Sequence, residues 1–185
     1  MELDHLYVIE QIQRNWPESY DPLTTPFFFT LHSVHTSIMA VSCKIMGEYH
    51  FSPAEFDVLS SLRRAPPPHE LTPSQLQQSL LITSGGLTKI LHQLQTRELI
   101  TRSTATTDRR IKPVRLTAKA VPIVEQVLKI IVENNSRSIR NALSSAEIEQ
   151  ATLLLTLLAK HLRQPPAMRQ EGCPNHPEPL PLARI

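Results

Sequence analysis

Apolar residues recur at three- and four-residue steps along most of this chain, and prolines or small polar clusters interrupt the rhythm. That period predicts helices, because positions i, i+3, i+4 and i+7 then share one side. Leu3, Leu6, Ile9 and Ile12 predict a helix over residues 2–16, with Trp16 near its end and Pro17 and Ser-Tyr-Asp-Pro beyond it. Thr25-Pro26 opens the next helix, to about Glu48, with Phe27, Leu31, Val34, Ile38, Val41 and Ile45 on one face. Phe28, Phe29 and Met39 widen that surface past a single stripe, so this helix is expected to be buried on more than one side. Ser52-Pro53-Ala54-Glu55 has the form of a capping box, and its helix runs through Phe56, Val58, Leu59 and Leu62 to Arg63-Arg64. Ala65-Pro66-Pro67-Pro68-His69 ends it.

The middle of the chain, Leu71 to Thr117, changes rhythm. Thr72-Pro73-Ser74-Gln75 is another capping box, and Leu76, Leu80 and Leu81 supply the buried side of a short helix. A second helix, 83–97, is capped by Thr83 or Ser84, with Leu87, Ile90, Leu91 and Leu94 toward a core. Its other face carries Ser84, Gly85, Thr88, Lys89 and His92, which are short, polar or cationic. Gly85 and Gly86 leave the helix start bare, so its N–H groups can approach a phosphate. Taken alone this is an ordinary amphipathic helix with a solvated face. Two expected strands follow, Leu99–Arg102 and Pro113–Thr117, around a polar tip at 103–110. A helix-turn-helix followed by a basic hairpin is a winged helix.

Past the hairpin, Thr117 is expected to cap a helix from Ala118 to about Ala142, with Val121, Val124, Leu128, Ile131 and Val132 on its apolar face. Ser144-Ser145-Ala146-Glu147 is a third capping box, opening a leucine-rich helix to Leu162. Both helices are too apolar to stand alone. Six prolines after residue 164 mark a tail expected to be disordered. The fold expected is therefore mainly α (α+β), a winged helix-turn-helix with long N- and C-terminal helices forming a dimerisation region. Residues 1–25 form an N-terminal helical extension and 26–163 the main domain. Within that domain, 52–117 is the DNA-binding core and 26–48 and 118–163 are the dimerisation helices. Residues 164–185 are the Pro-rich tail.

Charge bears on the same stretch. Residues 83–115 hold Lys89, Arg97, Arg102, Arg109, Arg110, Lys112 and Arg115 against Glu98 and Asp108, a net of +5 in a chain whose total is +2. The positive charge lies where a duplex would lie. Aromatic content of 5% argues against a stacking-based single-strand binder. There is no apolar run long enough to span a bilayer and no basic signal-peptide start, so the expected location is cytoplasmic. Cys43 and Cys173 are too few and too far apart for a disulfide framework.

The segment TSGGLTKILHQLQTRELITRSTATTDRRIKPVRLTAKA, residues 83–120, resembles the recognition helix and wing of MarR-type regulators, most specifically in Asp108-Arg109-Arg110 followed by a strand ending Leu116-Thr117. The likeness spans roughly residues 30–160. It implies a homodimeric, ligand-responsive transcription factor on double-stranded DNA, most often a repressor. Thr83, Ser84, Gly85, Thr88, Lys89 and His92 would then meet the major groove. Arg109, Arg110 and Lys112 would meet the backbone or minor groove, with Asp108 orienting an arginine. The N-terminal helix with its tryptophan resembles the urate- and phenolic-ligand subgroup, in which that tryptophan lines the effector pocket. Trp16, His35, Asp57 and Arg63 are accordingly the candidate contacts for a small aromatic or phenolic anion. A departure is Ile90, where urate-responsive relatives tend to carry arginine. Alternatives are a redox-sensing regulator using Cys43, and a helical protein-interaction module that binds no DNA.

Catalytic chemistry finds no support in the spacing. A phosphate-binding glycine loop, a nucleophile elbow and a zinc motif are all absent from the sequence. His32 and His35 sit three apart without a third ligand, and Cys173 and His176 are two ligands in a tail. No enzyme, cofactor or metal site is expected.

Overall fold

The computed structural model describes residues 5–80, 82–102 and 113–163, and its helices begin where side chains satisfy the first free N–H groups. Helix α1 is His5–Asn15, followed by a 3₁₀ turn at Pro17–Ser19. Helix α2, Thr24–Glu48, is introduced by Asp21, whose Oδ1 accepts from the Leu23 N–H at 2.9 Å and the Thr24 N–H at 2.6 Å. Hydrogen bonds from the Thr24 backbone and hydroxyl and from the Leu23 backbone hold the Asp21 carboxyl below the usual range. Helix α3, Pro53–Arg64, carries the complete box: Glu55 Oε2 accepts the Ser52 N–H at 2.9 Å and Ser52 Oγ accepts the Glu55 N–H at 3.3 Å. Helix α4, Pro73–Ser79, repeats it with Thr72 and Gln75. Helix α5 is Ser84–Thr96, α6 is Ala120–Ala142 and α7 is Ser145–Arg163. Ser144 and Glu147 close the box ahead of α7. Thr117 Oγ1 takes the Ala120 N–H, as expected of that threonine.

A small antiparallel sheet has the order β1-β3-β2, with β1 at Glu70–Leu71, β2 at Ile100–Arg102 and β3 at Val114–Leu116. Ile100 lies opposite Leu116 and Arg102 opposite Val114, while Glu70 lies opposite Arg115. Two strands were expected here; the third, β1, is too short to carry an alternating pattern. The core gathers Val58, Leu59 and Leu62 of α3, Leu76 of α4, Leu87, Leu91 and Leu94 of α5, Ile100 and Val114 of the sheet, and Val124 and Val127 of α6. Helix α5 thus stands on the core by one face only.

The described residues divide into two compact units, one reaching Arg137 and the other starting at Ser138. In the first, α1 packs along α2 and buries Ile9. The expectation that α2 is buried on several sides is not met within one chain, where only Ser42, Ile45 and Met46 are buried. Phe27, Phe28, Val34 and Val41 face solvent, Phe28 at 62% exposure. In the second unit, α7 leaves Leu153, Leu154, Leu157 and Leu162 exposed. The tail, 164–185, including Cys173 and His176, lies outside the described residues, as does Leu81.

Candidate nucleic-acid interface

Helices α4 and α5 are joined by the segment from Leu80 to Thr83, in which Leu80 and Thr83 have extended backbone. Thr83 Oγ1 accepts the Gly86 N–H at 3.2 Å and so fixes the start of α5. The two glycines there serve different ends. A Cβ on Gly86 would come within 3.1 Å of Thr83 Oγ1 and 3.2 Å of Ile82, so a larger residue there would press on the cap. A Cβ on Gly85 would meet nothing within 4 Å. Among the described residues nothing requires its small size.

Ser84, Gly85, Thr88, Lys89 and His92 are exposed together on α5, opposite the buried leucines. The Thr88 hydroxyl donates back to Ser84 O at 3.0 Å, which leaves its lone pairs as outward acceptors. His92 Nδ1 lies 3.3 Å from Thr96 Oγ1. Lys89, His92, Gln93 and Thr96 border a hollow of about 490 Å³ whose far wall is Glu55 and Arg97. This face offers donors and acceptors on a narrow helix, the requirement for entering a major groove about 12 Å wide.

Among the described cations of that stretch, Arg97 and Arg115 are engaged within the chain. Arg97 Nη1 donates to Glu55 Oε1 at 3.2 Å, and Arg115 Nε donates to Pro68 O at 3.1 Å. Neither engagement was legible in the charge count, because the partners lie 42 and 47 residues away. Arg109, Arg110 and Lys112, with Asp108, lie outside the described residues.

The candidate effector residues do not share one hollow. Trp16, 58% exposed, lines a space of about 530 Å³ with Ile12, Ser19, Thr24, Thr25, Phe28 and Phe29. Arg63 lines another of about 800 Å³ with Arg64, Pro66, Pro67, Glu125, Leu128 and Lys129. Its guanidinium pairs with Glu125 of α6, donating from Nε at 2.7 Å. His35 and Asp57 line neither of these two hollows. Burial pushes the Asp57 carboxyl above the usual carboxylate range, with Arg64 opposing. Cys43 is half-buried against the core, as a small apolar residue would be. Among the described residues, no three His, Cys, Asp or Glu side chains come together as a metal site would need.

Comparison with known proteins gives the same surface a family. Residues 51–111 match the model of the MarR family. Over 133 residues the chain is 32% identical to the HTH-type transcriptional regulator PecS of Dickeya dadantii (strain 3937), covering 72% of this chain and 80% of that protein. The chain belongs to the MarR family. Among solved structures, AbsC, a MarR-family transcriptional regulator from Streptomyces coelicolor, matches with a TM-score of 0.67 at 17% identity, over 78% of this chain and 97% of that one. A cysteine-to-serine mutant of MarR from E. coli, complexed with operator DNA, matches with a TM-score of 0.63 at 23% identity, over 75% and 99%. This member of the family is accordingly a winged-helix DNA-binding transcriptional regulator and not an enzyme. No described helix of the chain is long and apolar enough to cross a membrane.

Proposed function

We propose that this regulator acts in the cytoplasm as a homodimer, placing α5 of each protomer in successive major grooves of a near-palindromic operator and repressing the genes behind it. Half-sites about one helical turn apart follow from two-fold symmetry. The MarR mutant of the same fold held operator DNA, which supports a duplex as the partner. Apolar faces left bare on α2 (Phe27, Phe28, Val34, Val41) and α7 (Leu153, Leu154, Leu157, Leu162) support a second copy as what covers them. In this reading the helices within 26–48 and 118–163 form the dimer. Ser84, Thr88, Lys89 and His92 face bases or phosphates, and Arg109, Arg110 and Lys112 add charge from the wing. A small aromatic or phenolic anion releases the DNA. The Arg63, Arg64 and Lys129 cations over the apolar Pro66, Pro67 and Leu128 support such a ligand class in the larger hollow.

The open space at Gly85 carries the reading. A glycine in a helix lowers its stability by up to about 1 kcal/mol relative to alanine, and no neighbour in the chain accounts for that cost here. A phosphate drawn close to the helix start would. Gly85→Ala should therefore raise the thermal midpoint of the free protein slightly and weaken binding to a duplex from the chain's own upstream region about tenfold or more. Anisotropy titration and thermal denaturation read the two effects. Unchanged affinity would remove the helix start from the interface.

A further inference from the structure

We propose that Arg97, at the C-terminal end of α5, is a positioning residue that sets the angle of the DNA-reading helix through Glu55 and Phe51. The inference rests on the proposed placement of α5 in the major groove. Three observations meet at this point. The Arg97 guanidinium donates to Glu55 Oε1 at 3.2 Å. It also lies 4.9 Å from the centroid of the Phe51 ring, a cation over an aromatic face. Glu55 itself is only 8% exposed, and a carboxylate so placed is costly unless it is paired.

Glu55 already has one task, because its Oε2 accepts the Ser52 N–H and hydroxyl at the start of α3. That task does not need a charge. In α4 the same box is built with a neutral Gln75, whose Oε1 takes the Thr72 N–H at 2.8 Å and the Thr72 hydroxyl at 3.0 Å. The difference between the two boxes is the second oxygen of Glu55, and Arg97 occupies it. A charge-assisted, planar contact of this kind fixes direction as well as distance.

What the contact joins gives it a role. Phe51 follows directly on the end of α2, its backbone N–H bonded to Met46 O at 2.9 Å, and its ring lies 6.1 Å from that of Phe56 in α3. Arg97 is the C-cap of α5, whose core-facing side is otherwise the apolar Leu87, Leu91 and Leu94. The clamp ties the far end of the reading helix to the junction of α2 and α3. Thr83 caps the near end from within α5 itself, so it fixes where the helix starts and not how it lies. The clamp at Arg97 is thus the polar contact that sets the pose of Lys89 and His92 along the groove.

The test uses the full-length protein and two duplexes: an operator selected from random sequence by the wild type, and a scrambled duplex of equal length. Arg97→Ala and Glu55→Gln should each reduce the ratio of operator to scrambled affinity about tenfold. The double variant should lose no more than either alone, since both remove one contact. The salt slope should stay unchanged, because no phosphate contact is lost. Glu55→Gln keeps the capping oxygen and guards against a fold lost with Arg97→Ala. Arg97→Lys should recover only part of the ratio, since it restores charge without the planar fork. A salt slope shallower by about 0.9 for Arg97→Ala, fully restored by Arg97→Lys, would mean a direct phosphate contact and overturn the proposal. So would an unchanged ratio in both single variants. Lys89→Ala, measured alongside, separates the two levels. If it alters sequence preference while Arg97→Ala and Glu55→Gln do not, the reading helix stands and the clamp falls; if none of them does, both fall.

Discussion

Glu98 occupies a position where a side chain is a handicap. Its φ is +59°, in the left-handed region, at the turn from α5 into β2. An L-residue there costs on the order of 1–2 kcal/mol, and a β-branched one more. What Glu98 gives back is an exposed ion pair with Lys119 at 3.2 Å, worth under about 1 kcal/mol. Glu98→Gly should therefore leave the protein at least as stable, and Glu98→Val should lower urea-denaturation stability by about 1–2 kcal/mol. A second residue-scale effect belongs to Asp57. Its carboxyl is raised from an ordinary 3.8 chiefly by burial, so the charged form is penalised at neutral pH and the penalty disappears as the group protonates. Asp57→Asn should be more stable than the wild type at pH 7, and the gap should close as pH falls through the raised value to below 3.8. Thermal melts of the pair at both pH values read the difference directly. A constant gap would leave desolvation of the carboxylate without a part.

Helices were legible because their start signals are local. The boxes at Ser52, Thr72 and Ser144 all form as the sequence suggested, each within a span of three residues. Ser52→Ala removes the acceptor for the Glu55 N–H and should cost about 1 kcal/mol, seen as a fall of about 2–4 °C in melting temperature. The start of α2 was displaced by one residue for a comparable reason: Asp21 does the capping from three positions ahead, across Pro22. The contacts that orient one element on another were not legible. Arg63 finds Glu125, 62 residues on, and Arg97 finds Glu55; nothing in the neighbourhood of either arginine names its partner. Strand β1 escaped notice because two residues hold no period, and its pairing with β3, Glu70 opposite Arg115 and Leu71 opposite Val114, is what defines it.

At the scale of the molecule, the winged-helix architecture and the polar face of α5 were readable, whereas the effector residues were not brought into one place. Trp16 and Arg63 border separate hollows, since helical phase says which face a residue shares but not which element covers it. The bare leucines of α7 carry the prediction proper to this scale. If the proposed dimer is built on them, replacing Leu154 and Leu157 together with Glu should halve the mass measured by sedimentation equilibrium and weaken operator binding about a hundredfold or more, because the second protomer's contacts are lost. A dimer that persists would place the joint elsewhere.

One link described above reaches further than its size suggests. Arg115 of β3 holds the carbonyl of Pro68 at 3.1 Å, and the Leu116 N–H bonds His69 O at 3.3 Å. The root of the hairpin is thereby bolted to the proline-rich bend that also walls the larger hollow. On the proposed reading, a guest that shifts that bend would carry the paired strands with it, so occupancy of the hollow would become a tilt of the hairpin root without a helix having to melt.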